Sequence, residues 1–240
     1  NTPVSWVERL YQGLTACLQS YQTSIVGGDV CRSPTINVGI TALGYVSPSR
    51  TSRRCLAQPG EAIVATGYHG LSRAGLELLL KAESGENLAT EARKSLISAH
   101  QRPKPRLDVL EPLWTVVGDR SIAGMDSSDG LADAVVQICR FSGTGAILER
   151  QSIPIAPALR QFASPEQALE WVLYGGEDFE LVLCLPTESA LTLVSHLGEG
   201  AAIIGQITPG NAVELIDTHG IEEKRLLTLA GGFQHFNQLL

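Results

Sequence analysis

The sequence predicts an α/β (α+β) fold in two parts: a short N-terminal part, and a larger C-terminal mixed sheet flanked by helices. Three observations predict it. From Glu61 onward, short apolar runs of strand length alternate with longer runs of helical periodicity. A polar, basic, turn-rich stretch, "SPSRTSRRCLAQPGE" at 47–61, precedes that alternation and marks a domain boundary. The chain of 240 residues, 44% hydrophobic and 18% charged, is long enough for one large domain or one and a half.

Each element follows from a local pattern. Val4, Val7, Leu10, Tyr11, Leu14, Leu18 and Tyr21 give one apolar face and predict a helix over 3–21. "TSIVGGD" reads as a short strand ending in two glycines and Asp29, and "TINVGITALGYV" alternates with period two, as a half-buried strand does. After the boundary, "EAIVATG" predicts a strand and "GLSRAGLELLL" a helix. "ENLATEARKSLISAH" predicts a second helix, stopped at "QRPKP", and Leu107–Val116 a third. "SIAGM" is a strand, 128–141 a helix, "GAILE" a strand and 164–173 a helix. "FELVLCL" is a strand, 187–197 a helix, and "AAIIGQI" and "AVELID" are closing strands. The closing strands are free to pair antiparallel.

Composition narrows the function. The net charge of -7 argues against a nucleic-acid partner and makes phosphate binding depend on cations. No apolar run reaches the ~18 residues of a membrane span, and no secretory signal pattern is present. Five widely spaced cysteines without a CxxC pair point to a reducing, cytoplasmic setting. The chain starts at Asn1 and its only methionine is Met125, so a processed or shortened N-terminus is expected. No Walker A or GxGxxG motif occurs.

Four groups of residues carry chemistry. "GMDSSDGLADAVVQI" places Asp126, Asp129 and Asp133 within eight residues, at a strand-to-helix turn. Two readings stand for it: an acidic helix N-terminus capped by Ser127 or Ser128, or a divalent-metal site. "IVGGD" sets Asp29 after Gly27 and Gly28, either as a plain turn or as a close approach to a ligand. In "YGGEDFELVLCL", Gly175 suits a helix C-cap, while Glu177 and Asp178 stay unexplained. Arg54 lies in the basic stretch, as a solvated linker residue or a phosphate clamp. Magnesium takes oxygen ligands and commonly uses one or two carboxylates plus substrate phosphates. Such carboxylates would let an acidic protein hold a nucleotide. None of the five histidines shows metal or triad spacing.

"GGD" followed by Arg32, then "DSSDG", then "GGEDFEL", in this order, resembles the thiamine-monophosphate kinase family of the aminoimidazole ribonucleotide synthetase-like superfamily. The resemblance runs from the first helix to "GGFQHF". It implies a two-domain, synthetase-like architecture in which residues 1–46 are the remnant of an N-terminal ATP-binding and dimerisation domain, here incomplete. Residues 54–240 are then the C-terminal domain. It also implies ATP- and Mg2+-dependent, in-line phosphorylation of thiamine monophosphate to thiamine diphosphate, by a homodimer in the complete protein. Asp29, Asp126 and Asp129 would be magnesium ligands. Gly28, Asp29, Arg54 and Ser128 would meet ATP. Glu177 and Phe233 would meet the thiamine substrate. The acceptor phosphate ionises near pH 6, so no general base is needed and no catalytic residue is assigned. The chain departs from the family's pattern in two ways: Val30 and Cys31 follow "GGD" where hydroxyl residues are usual, and an upstream aspartate-rich turn is missing. Another ATP-dependent synthetase of the superfamily, or a non-catalytic nucleotide-binding fragment, are the alternatives.

Overall fold

The apolar stripe of residues 4–21 forms the first helix, α1 (Val4–Ser20), and none of its side chains is fully buried. The computed structural model describes residues 2–217 and 224–232 and divides into two units, Asn1–Gly44 and Tyr45–Leu240. In the first unit, the two strands predicted within 23–46 do not form. Their alternation is real, but a strand also needs a neighbour for its N–H and C=O groups. No described residue pairs with this segment, and Ile36, Val38 and Ile40 stay 62%, 54% and 75% exposed.

The second unit is a mixed sheet with helices on both faces. Its elements are β1 (Ser52–Arg53), β2 (Ala62–Ala65), α2 (Leu71–Leu80), α3 (Thr90–Gln101), α4 (Leu110–Val117), β3 (Ile122–Asp126), α5 (Leu131–Ser142), β4 (Gly145–Glu149), α6 (Pro157–Phe162), α7 (Pro165–Tyr174), β5 (Leu181–Leu185), α8 (Thr187–Leu197), β6 (Ala202–Thr208), β7 (Val213–Ile216) and β8 (Arg225–Leu226). The strand order is β1-β3-β5-β2-β6-β4-β7-β8. Only β1–β3 and β4–β7 are parallel; the other neighbours are antiparallel. Antiparallel pairing therefore extends through the sheet's centre, beyond the closing strands. The turn-rich stretch that reads as a linker supplies the edge strand β1, whose Arg53 pairs with Ala123.

Alternation sorts the core onto two faces. Ala62 and Val64 of β2, Leu183 and Leu185 of β5 and Ile122 of β3 pack with Val109, Leu113, Ala190 and Leu193 under α4 and α8. Ile63, Ala65, Val182, Cys184 and Ala123 point the other way, into the larger core built with α2, α3, α5, α6 and α7. Period-two burial on β2, β3 and β5 fixes their register, because a one-residue slip would exchange the faces. The same register brings Asp126, at the end of β3, level with Leu181 at the start of β5.

Candidate active site

Asp126 closes β3 and is exposed, while Ser127 beside it is 1% exposed. The Ser127 N–H donates to the Glu180 carbonyl at 2.9 Å, so the turn stays attached to the neighbouring strand's approach. Gly130 then turns the chain with φ +113°, and α5 begins only at Leu131. The helix expected from 128 therefore starts three residues later. No side chain caps it, so Ser127 and Ser128 are not N-caps and Asp129 lies outside the first helical turn. The acidic-cap reading of Asp126 and Asp129 fails on that geometry.

The second turn lies against the first. The Glu177 N–H donates to the Ser128 carbonyl at 2.6 Å. Gly176, Glu177 and Phe179 all have positive φ, at 67°, 59° and 54°. For the two non-glycine residues this is a strained backbone, a feature that clusters at ligand sites. Gly175 does cap α7, its N–H meeting the Trp171 carbonyl at 2.8 Å, while the left-handed residue is Gly176. A side chain at Gly176 would place Cβ 2.8 Å from the Ser128 carbonyl. The two turns approach this closely only because that position is glycine.

Asp178 and Glu180 are structural. Asp178 accepts from the N–H groups of Gly70 and Ser72, at 2.7 and 2.8 Å, and so caps α2 from a distant part of the chain. Burial pushes its carboxyl up to about 7, against those N–H donors. Glu180 is ion-paired to Arg106 and accepts the Thr66 hydroxyl at 2.7 Å. His69 is 1% exposed, with Nδ1 3.1 Å from the Gly67 carbonyl and Nε2 2.9 Å from the Ser127 hydroxyl. Burial holds its imidazole down at about 4, so it is neutral at pH 7. The acids of "GGEDFEL" hint at this buried network in the sequence; His69 gives no such signal, because its side-chain partner, Ser127, comes from a distant turn.

The turn is strongly acidic. Burial raises the Asp133 carboxyl above the usual range; Gln137, 3.0 Å away, opposes this, the charge of Asp129 adds to it, Arg54 opposes it and Asp126 adds to it. Asp126, Asp129, Asp133 and Arg54 therefore share one electrostatic neighbourhood. Arg54 directly follows β1, the strand parallel to β3, and its side chain is exposed. Near Glu177, the carboxylate lies 3.8 Å from His100 Nδ1, which also meets the Ser72 hydroxyl at 3.0 Å. Gly232 lies beside Asp129, whose carbonyl is 3.8 Å from where a Gly232 Cβ would stand. Phe233, the next residue, falls outside the described residues, as do His219 and His235.

Of the expected site residues, Asp126, Ser128, Asp129, Glu177 and Arg54 gather in the second unit. Gly28 and Asp29 belong to the first. There the Asp29 carboxylate is exposed and accepts from the Val30 N–H at 2.8 Å and the Cys31 thiol at 3.3 Å. Among the described residues, no three or more His, Cys, Asp or Glu side chains already form a metal cage. Two exposed aspartates in one turn suit magnesium all the same, since its remaining ligands are water and substrate phosphate. Among the described residues, no helix is long and apolar enough to cross a membrane.

Known proteins match this chain in sequence and in fold. The AIR synthase related protein C-terminal domain matches residues 58–218, and the corresponding N-terminal domain matches 1–46. A thiamine-monophosphate kinase of Synechococcus elongatus is 48% identical over 97% of this chain, which spans 69% of that relative. The Escherichia coli thiamine-monophosphate kinase is 35% identical over 85% of this chain, which spans 62% of its length. Among solved structures, AaThiL complexed with AMPPCP and TMP superposes with a TM-score of 0.70, at 25% identity, over 95% of this chain and 69% of that one. The hydrogenase maturation protein HypE, at 23% identity and a TM-score of 0.55, shares the fold. With its paired DSSDG and GGED turns on a mixed sheet, this chain belongs to the thiamine-monophosphate kinase family of the AIR synthase related proteins.

Proposed function

We propose that the chain carries the ATP-dependent phosphorylation of thiamine monophosphate to thiamine diphosphate. One observation carries the reading: the aspartate turn and the glycine-glutamate turn are joined directly, Glu177 N–H to Ser128 carbonyl. A nucleotide held at the first turn and an acceptor held at the second would lie side by side. Transfer between two phosphates needs positioning and charge neutralisation more than proton chemistry.

The residues divide the work. Asp126 and Asp129, neither of them capping α5, would be magnesium ligands, and Asp29 of the first unit would also be a magnesium ligand. Magnesium, when bound, supplies the positive charge that lets two anionic phosphates approach in line. Ser128 and Arg54 would hold the ATP phosphates, Arg54 through directed, charge-assisted hydrogen bonds, with Gly28 close to the nucleotide. Glu177, fixed by its own strained backbone, and Phe233 would hold the thiamine moiety. Residues 1–46 would belong to the ATP-binding and dimerisation domain of a homodimer.

Incubating the chain with ATP, Mg2+ and thiamine monophosphate, and resolving thiamine diphosphate by chromatography, tests the reading. A second reading is nucleotide binding without turnover. One observation favours it: the segment carrying Gly28 and Asp29 pairs with no strand among the described residues. Binding of an ATP analogue with no thiamine diphosphate formed would select that reading. No binding at all would reject both.

A further inference from the structure

Ser127 is the one side chain of the Asp126–Asp129 turn that points inward. Asp126 and Asp129 are exposed and Ser128 is half-buried. Along an extended segment successive side chains face opposite ways, so whatever fixes Ser127 inward also aims Asp126 outward. The Ser127 hydroxyl meets His69 Nε2 at 2.9 Å and the Glu180 carbonyl at 3.1 Å, and it has one proton to give.

The proton assignment follows from the partners. The Gly67 carbonyl can only accept, so His69 Nδ1 carries the ring proton, across 3.1 Å. Burial keeps the ring singly protonated, so Nε2 is an acceptor. The Glu180 carbonyl already receives the Ser127 N–H at 2.9 Å. Donation from Ser127 to His69 is thus the arrangement that leaves no buried polar atom of the group unmatched. His69 is held from its other side as well. Gly70, the next residue, gives its N–H to Asp178 of the second turn, at 2.7 Å.

We infer that His69 is a positioning residue for the magnesium-binding turn, acting through the Ser127 hydroxyl and linking that turn to the entry of α2. The inference rests on the reading of Asp126 and Asp129 as metal ligands. Removing the imidazole frees the Ser127 hydroxyl to re-aim at the Glu180 carbonyl. The turn then loses its second anchor, and Asp126 has more than one orientation. Magnesium must select the productive one, which raises the concentration it needs.

The test titrates Mg2+ into the full chain at a fixed concentration of the non-hydrolysable analogue AMPPCP, following analogue binding rather than turnover. His69→Leu and Ser127→Ala should each raise half-saturating Mg2+ about three- to tenfold, the equivalent of one hydrogen bond. The double variant should shift no further than the larger single, because both remove the same contact. His69→Gln, whose carbonyl can accept the Ser127 proton, should return within about twofold of wild type. Asp126→Asn separates the two ideas. If Asp126→Asn shifts the titration while His69→Leu and Ser127→Ala do not, even with a lowered Tm, His69 is structural and the inference falls alone. If Asp126→Asn leaves the titration unchanged, the metal reading falls and takes the inference with it. Additive shifts in the double variant overturn the inference too. Should His69→Leu fail to fold, Ser127→Ala and His69→Gln decide.

Discussion

At the scale of single residues, charge decides what the site can do. Asp126 and Asp129 are like charges that no hydrogen bond to α5 compensates. Replacing either by Asn should leave the ligand-free chain as stable as wild type or more so. The same change should weaken Mg-AMPPCP at least tenfold, about 1.4 kcal/mol, which thermal melts with and without the ligand would show. A wild-type shift in both variants would return the turn to a bystander. Arg54→Ala should cost the analogue about 1.5–3 kcal/mol, measured by titration calorimetry, if its guanidinium holds a phosphate. Unchanged affinity would make it a solvated edge residue. His69 gives a pH prediction. Its imidazole is depressed to about 4 by burial, so the unfolded chain binds the proton more tightly than the folded one. The stability it contributes is complete above about pH 6.5 and is lost as pH falls towards 4, by roughly 3 kcal/mol in all. Asp178, raised to about 7 by burial, runs the opposite way in the same window and flattens the wild-type profile. Urea melts of wild type and His69→Leu at pH 4.5 and 7 isolate the histidine: the difference between the two proteins should shrink on acidification. A constant difference would count against the buried neutral ring.

At the scale of elements, glycine geometry holds the site together. Gly176→Ala forces a Cβ onto a residue at φ +67°, 2.8 Å from the Ser128 carbonyl. It should destabilise the fold by at least about 1–2 kcal/mol in chemical denaturation and part the two turns. A neutral result would mean that the apposition is loose. This scale was also where the sequence read best. The strand Gly145–Glu149 and the helix Thr187–Leu197 match their predicted bounds, because apolar periodicity and flanking Gly or Pro set both ends. The start of α5 is not legible in the sequence, because Ser127 and Ser128 look like caps and only the tertiary partner His69 shows that Ser127 is occupied elsewhere. The short helix α6 and the edge strands β1 and β8 left no periodic signal long enough to read. The candidate site is legible as three motifs. That two of them meet is not, since the Glu177–Ser128 bond joins segments separated by an entire helix–strand–helix–helix passage.

At the scale of the whole molecule, the two units differ in how they are stabilised. The second carries the buried core, while no described residue of Asn1–Gly44 is buried. A chain beginning at Tyr45 should therefore melt cooperatively, within about 2–4 °C of the full chain, as calorimetry would show. Loss of the transition would show that the core depends on the first segment. The strand order has a consequence for the order of events in folding. Arg54 follows one edge strand of the sheet, the paired turns belong to the two strands beside that edge, and Gly232, beside Asp129, follows the strand at the far edge. Contacts this distant in sequence close slowly and late. The approach of Gly232 to Asp129 closes a loop that contains β4 to β8, so it is made after those strands have found their partners. A refolding chain therefore holds the aspartates for a time with one wall of their surroundings still to come.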